Sequence, residues 1–140
     1  MKRNLFVLAC ATLLFGVWTA SPVGAQWLKA PKLERAGDIP YISGGVGQEE
    51  RASLEERAGD YSLKLVFAER SGNFLAGVRV VVRDMKGANI VQTVTRGPFL
   101  YVDFPKGTYR LEAMHDDVTR VREFQIGSGQ TSLVIGWPDG

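Results

Sequence analysis

The sequence predicts an all-β fold, a seven-stranded antiparallel β-sandwich preceded by one short helix. Three observations predict it. From Tyr61 onward apolar residues recur at every second position, turn-forming residues interrupt them at short intervals, and helix-forming composition is concentrated in Gln48–Arg57. A period of two sends alternate side chains to opposite faces of a strand, so each sheet buries one face and wets the other. Several short strands bounded by such turns favour two stacked antiparallel sheets.

Residues 1–25 read as an export signal. Met1-Lys2-Arg3-Asn4 is a positive start, Leu5 to Trp18 is almost wholly apolar, and Ser21-Pro22 precedes the small-residue sequence Val23-Gly24-Ala25. That order predicts cleavage near Ala25 and a periplasmic or secreted protein. An uncleaved anchor is the alternative, but the run is shorter than the ~20 residues a spanning helix needs. Val7-Leu8-Ala9-Cys10 loosely resembles a lipidation signature, yet Cys10 lies inside the apolar run, and cleavage there would leave that run too short. Removing 25 of the 140 residues leaves 115, takes away the one cysteine, and leaves 15 basic against 15 acidic residues. A mature chain of zero net charge gives no reason to expect nucleic acid as a partner, and the membrane enters only through the export signal.

Residues 26–47 carry two prolines and no sustained period, which predicts an extended tether, or a segment laid across the domain, ending in the Gly-rich turn Gly44-Gly45-Val46-Gly47. Residues 48–58 predict a short surface helix. Glu49 and Glu50 fall in its first turn, where the helix dipole favours negative charge, Leu54 is its chief apolar residue, and Gly59 ends it.

The sandwich domain is expected over residues 60–138. Tyr61, Leu63, Leu65 and Phe67 alternate with polar residues, as do Val78, Val80 and Val82. Ile90–Val94 follows the turn Met85–Ala88. Leu100, Val102 and Phe104 follow Arg96-Gly97-Pro98, and Tyr109, Leu111 and Ala113 follow Pro105-Lys106-Gly107. His115-Asp116-Asp117 turns into Thr119–Ile126, where the phase falters at Val121 and Phe124 and predicts a bulge or a later start. Gly127-Ser128-Gly129 turns into Leu133, Ile135 and Trp137.

The run Phe104-Pro105-Lys106-Gly107-Thr108-Tyr109-Arg110-Leu111-Glu112-Ala113, with Gly77-Val78-Arg79-Val80 before it, resembles the carboxypeptidase regulatory-like domain over about residues 60–137. The resemblance implies a transthyretin-like (prealbumin-like) seven-stranded sandwich and no particular activity. In this turn Pro105 stops a strand, Gly107 permits backbone other residues resist, and Tyr109 offers a ring to the core and a hydroxyl to a backbone group. The segment Tyr41–Arg51 followed by such a domain is also similar to a group of small secreted proteobacterial proteins. Hydroxyisourate hydrolases of transthyretin-like fold look to several histidines and a C-terminal Tyr-Arg-Gly-Ser. This sequence has one histidine and ends Trp137-Pro138-Asp139-Gly140, so that activity is not expected.

Chemistry-bearing motifs are sparse. Gly44–Gly47 before a helix has the look of a phosphate cradle, but Gln48-Glu49-Glu50 stands where Lys-Ser or Lys-Thr would be needed. His115 with Asp116 and Asp117 falls at a hairpin turn, where Asp serves conformation more often than metal. No nucleophile and base can be paired. Catalytic, cofactor and metal residues are therefore all expected to be absent. Arg79, Arg83, Arg110, Arg120 and Arg122 are expected on outer sheet faces, where, sharing one face, they could hold an anionic glycan or a partner's carboxylates. The bland reading pairs them with Glu112, Glu123 and Asp103. Phe99, Tyr101 and Trp137 could add aromatic surface for stacking on sugar rings. Arg79, Tyr101, Arg110, Arg120 and Arg122 are thus the candidate ligand or partner surface. The sequence predicts a non-enzymatic binding or protein-interaction module whose partner is another periplasmic or envelope protein, with a carbohydrate- or cell-wall-binding sandwich as the alternative.

Overall fold

The computed structural model describes residues 31–140. The expected export signal, residues 1–25, and the first part of the expected tether, residues 26–30, lie outside the described residues.

The described chain is mostly β and forms two stacked sheets. One sheet holds β1 (Leu33–Ala36), β2 (Ile39–Gly44), β6 (Phe99–Val102), β3 (Leu63–Glu69) and β9 (Thr131–Trp137), in that spatial order. The other holds β5 (Asn89–Val94), β4 (Arg79–Asp84), β7 (Gly107–His115) and β8 (Val118–Ile126), also in spatial order. Every pairing is antiparallel except β3 with β9, which run parallel from Leu63↔Thr131 to Glu69↔Trp137.

Seven strands occupy the stretches where apolar alternation begins after Tyr61, but the described total is nine. The extra pair, β1 and β2, corrects the reading of residues 33–44 as a tether. Their register, Leu33↔Ile42 to Ala36↔Ile39, closes on the loop Gly37-Asp38, with Gly37 at φ 60° as a tight hairpin loop requires. β2 then pairs with β6 from Tyr41↔Val102 to Gly44↔Phe99, so it is an interior strand of its sheet. Pro40 lies beyond the β6 pairing, where its missing N–H leaves no ladder gap, and its carbonyl accepts from the Asp103 amide at 3.0 Å.

The uneven phase of β8 has another cause than a bulge. Its pairing with β7 is regular from Gly107↔Ile126 to His115↔Val118. Only Phe124 and Ile126 reach the core, and the first half of this edge strand is exposed or half-buried.

Two apolar clusters hold the fold. The main one lies between the sheets and includes Leu63, Leu65, Phe67, Val80, Val82, Leu100, Leu111 and Ile135. The second lies on the outer face of the five-stranded sheet, where α1 (Gln48–Arg57) covers Ile42 and Tyr101 with Leu54, beside Tyr61. A 3-10 turn, Ala58–Asp60, follows the helix directly, so the helix end is a tightened turn rather than a clean stop at Gly59. Leu54 is the one buried residue of α1. Polar bonds hold it elsewhere. Glu50 accepts from the Val46 amide at 2.9 Å, Arg51 Nε donates to Gly45 O at 2.9 Å, and Arg57 donates to Pro31 O at 3.3 Å. Backbones approach closely beside this helix: a Cβ on Gly97 would collide with the Gly44 carbonyl, which only glycine avoids.

Candidate functional site

The five candidate surface residues fall in three separate places. Cross-strand partners share a face, and the pairs Arg79↔Met114 and Arg83↔Arg110 place Arg79, Arg83 and Arg110 on the outer face of the four-stranded sheet. Arg122 and Arg120 pair with Leu111 and Ala113, both fully buried, so these two arginines point to the inner side of β8, at its open margin. Tyr101 is 1% exposed beneath α1. It is the plainest correction: a helix on the outer face makes this position interior, so it offers no surface to a ligand.

Arg83 and Arg110 line a shallow cleft of about 270 Å³ with Asp84, Met85, Glu112 and Glu123. Arg83 Nη1 pairs with Glu112, Arg83 Nε donates to Asn89 Oδ1 at 2.8 Å, and Arg110 Nε lies 3.9 Å from Glu112. Carboxylates thus answer the guanidiniums within the cleft, which is no anion trap. Partly exposed pairs of this kind contribute about 0–1 kcal/mol each. Arg79 has no ion-pair partner among the described residues, but it stands at the far end of the face.

The turn before β7 is locally built. Tyr109 donates its hydroxyl to Pro105 O at 2.8 Å, and its ring packs on Phe104 at 4.6 Å and stacks on Phe124 at 5.6 Å. Burial raises the Tyr109 pKa above its ordinary 10.0, with the Asp84 carboxylate adding to the effect. Gly107 opens the strand at φ 159°, leaving the Tyr109 ring 3.6 Å from where a Cβ would stand. These residues shape a corner.

His115, Asp116 and Asp117 form the β7–β8 corner, with Asp116 at φ 46° and Asp117 at φ 62°. Both values belong to a two-residue hairpin loop of the type that favours Asn and Gly. His115 Nε2 is 3.4 Å from Asp116 Oδ2, and its ring meets the Trp137 ring edge-on at 6.1 Å. Among the described residues no three His, Cys, Asp or Glu side chains gather as a metal site would require. No protein-family model matches the chain, and no curated protein matches it.

At one margin of the two sheets β8 faces β9. Three side chains cross it to backbone carbonyls. Arg120 Nε donates to Gly136 O, Trp137 Nε1 to Val118 O and Thr131 Oγ1 to Gln125 O, each at 2.9 Å. Between those bonds, Val134 is 68% exposed. Across the five-stranded sheet Val134 pairs with Val66, and Val66 with Phe99. Phe99 packs on the half-exposed Phe74 at 5.6 Å. Two cations sit over this apolar row: Arg51 over Phe74 at 4.6 Å and Lys64 over Phe99 at 6.0 Å.

Sequence reasoning missed this row. Val66, Phe99 and Val134 lie in three strands far apart in the chain, and each alone is an ordinary strand residue. The faint signal is the sequence Leu63-Lys64-Leu65-Val66-Phe67 with Leu133-Val134-Ile135, where apolar residues also occupy the off-phase positions. Off-phase apolar residues in a strand that should have one wet face mark a second covered or contact face.

Proposed function

We propose that this chain is an exported, non-enzymatic module that binds another envelope protein through an exposed sheet edge. The observation that carries the reading is the exposed β9 edge with Val134 on it. Edge strands with unpaired backbone groups and apolar side chains are templates for another chain unless they are blunted. A body of two stacked sheets suits a platform for such a contact. The resemblance of Phe104–Ala113 to carboxypeptidase regulatory-like domains agrees with this reading, since those domains accompany many activities and supply none by themselves.

The carbohydrate alternative draws less support. Tyr101 and Trp137, two of its stacking rings, are 1% and 2% exposed. Sugar stacking needs an open ring face.

The test is equilibrium capture from a periplasmic extract, with melting of the chain as a second readout. A saturable complex with one envelope protein, raising the melting temperature, is the expected result. Finding no saturable partner and no thermal shift overturns the reading. Retention on insoluble peptidoglycan that survives protease treatment of the extract would favour the sugar-binding alternative instead.

A further inference from the structure

β9 is half covered. Its parallel pairing with β3 uses the odd positions: the Thr131 amide donates to Ser62 O at 2.8 Å, and Trp137 O accepts from the Arg70 amide at 2.9 Å. The backbone groups of Ser132, Val134 and Gly136 therefore point away from β3, along the free edge. Arg120 already occupies Gly136 O, and Thr131 and Trp137 tie the two ends to β8. The amides and carbonyls of Ser132 and Val134 remain, with no hydrogen-bond partner among the described residues.

Side chains on the two sides of that edge differ in chemistry. On the outer side stand Val134 and, behind it, Val66. On the inner side stands Arg122, since the cross-margin bonds at 120–136 and 125–131 bring position 122 opposite position 134. Arg122 is exposed, donates only to the adjacent Val121 O at 3.1 Å, and has no carboxylate partner among the described residues. Glu123 is its nearest acid in sequence but lies on the opposite face of β8, opposite Arg110.

We infer that the β9 edge at Ser132–Val134 receives an extended segment of a protein partner in which apolar residues alternate with Asp or Glu. The inference rests on the interaction-module reading above and names its site and the partner's pattern. A strand added there sends alternate side chains to the two sides of the sheet. One set covers Val134, and the other faces the Arg122 guanidinium, which a carboxylate complements. A second copy of this chain fits poorly. β9 and β5 carry no acid, Glu34 of β1 is held by Arg96 at 2.7 Å, and β8 would bring Arg120 and Arg122 against Arg122.

The probe is a linear peptide of alternating Val and Glu, titrated into the isotopically labelled chain, with a Val–Lys peptide as the charge-reversed control. Saturable shifts at the Ser132 and Val134 amides, with slowed hydrogen exchange there, are expected. Arg122→Glu should weaken the Val–Glu peptide by about tenfold or more and reverse the preference between the two peptides. Val134→Pro should abolish binding, and because this amide faces away from β3 it breaks no ladder bond. Val134→Lys, which guards an edge without touching backbone, serves as the second variant. Arg79→Glu, on the opposite sheet, should leave binding unchanged. Shifts centred on another edge, or binding indifferent to Arg122→Glu and to both Val134 variants, overturn the inference. If the envelope partner is still captured by both Val134 variants, the module reading stands and the β9 site falls; if wild type captures none, the module reading itself falls.

Discussion

Tyr101 and Tyr109 both bury most of their rings, but their hydroxyls differ. Tyr109 donates to Pro105 O, whereas the Tyr101 hydroxyl is buried under α1 with no partner among the described residues. A buried hydroxyl without a partner costs about 1–3 kcal/mol, and a typical hydrogen bond contributes about 0.5–1.5 kcal/mol. The same substitution should therefore act in opposite directions. Tyr101→Phe should leave stability unchanged or raise it by about 1 kcal/mol, and Tyr109→Phe should lower it by about 1 kcal/mol, both read from urea denaturation midpoints. Burial also raises the pKa of Tyr41, Tyr61 and Tyr109 above 10.0. Above that pH the unfolded chain loses these protons before the folded chain does. Folded protein then binds more protons than unfolded, and stability must fall as pH rises. The melting temperature should be flat to about pH 9 and drop through pH 10–11, less steeply in Tyr61→Phe and Tyr109→Phe.

Elements show where local sequence suffices and where it does not. The β7–β8 hairpin was legible because His115-Asp116-Asp117 interrupts two alternating runs, and turn residues act locally. Its backbone still carries a cost, since both Asp residues sit at positive φ. Asp116→Asn with Asp117→Gly should raise stability by about 1 kcal/mol, measured by thermal or chemical unfolding. The β1–β2 hairpin was less legible. Gly37-Asp38 is a two-residue turn signal, but Pro40 beside it argued against a strand, and only the long-range pairing of β2 with β6 overrides that argument. α1 was visible from composition, but its cover over Tyr101 was not, because one buried leucine in a charged helix gives no amphipathic stripe. That single anchor makes a sharp test. Leu54→Ala should cost about 2–5 kcal/mol, and hydrogen exchange should quicken first in residues 48–60 while the β4–β7 ladder stays protected.

For the molecule as a whole, the question is how two sheets stay closed along both margins. At one margin Glu34 joins strands of both sheets' surroundings: Tyr41 donates to it at 3.0 Å, and Arg96, which follows β5, pairs with it at 2.7 Å. At the other, Trp137 and Arg120 bridge β9 and β8. Neither closure was readable from sequence, because Arg96–Glu34, Arg120–Gly136 and Trp137–Val118 each join residues more than fifteen positions apart, through bonds to backbone or to an acid with several plausible partners. The candidate site shared this difficulty. Arginines spaced along β4, β7 and β8 left open in sequence whether they share a face, and only strand parity sends Arg120 and Arg122 to the opposite face of the sheet from Arg110. The sheet order places β1 and β9 four strand spacings apart, or about 19 Å, beyond the range over which substitutions usually couple. Glu34→Ala and Trp137→Phe should each cost about 1–2 kcal/mol, since each leaves a hydrogen-bonding group without its partner. Combined, their costs should add to within about 0.5 kcal/mol if the main core transmits nothing between margins. A coupling larger than that in the double-mutant cycle would mean that the sheets shift as bodies when either margin opens, and that a partner bound at β9 would be felt at β1.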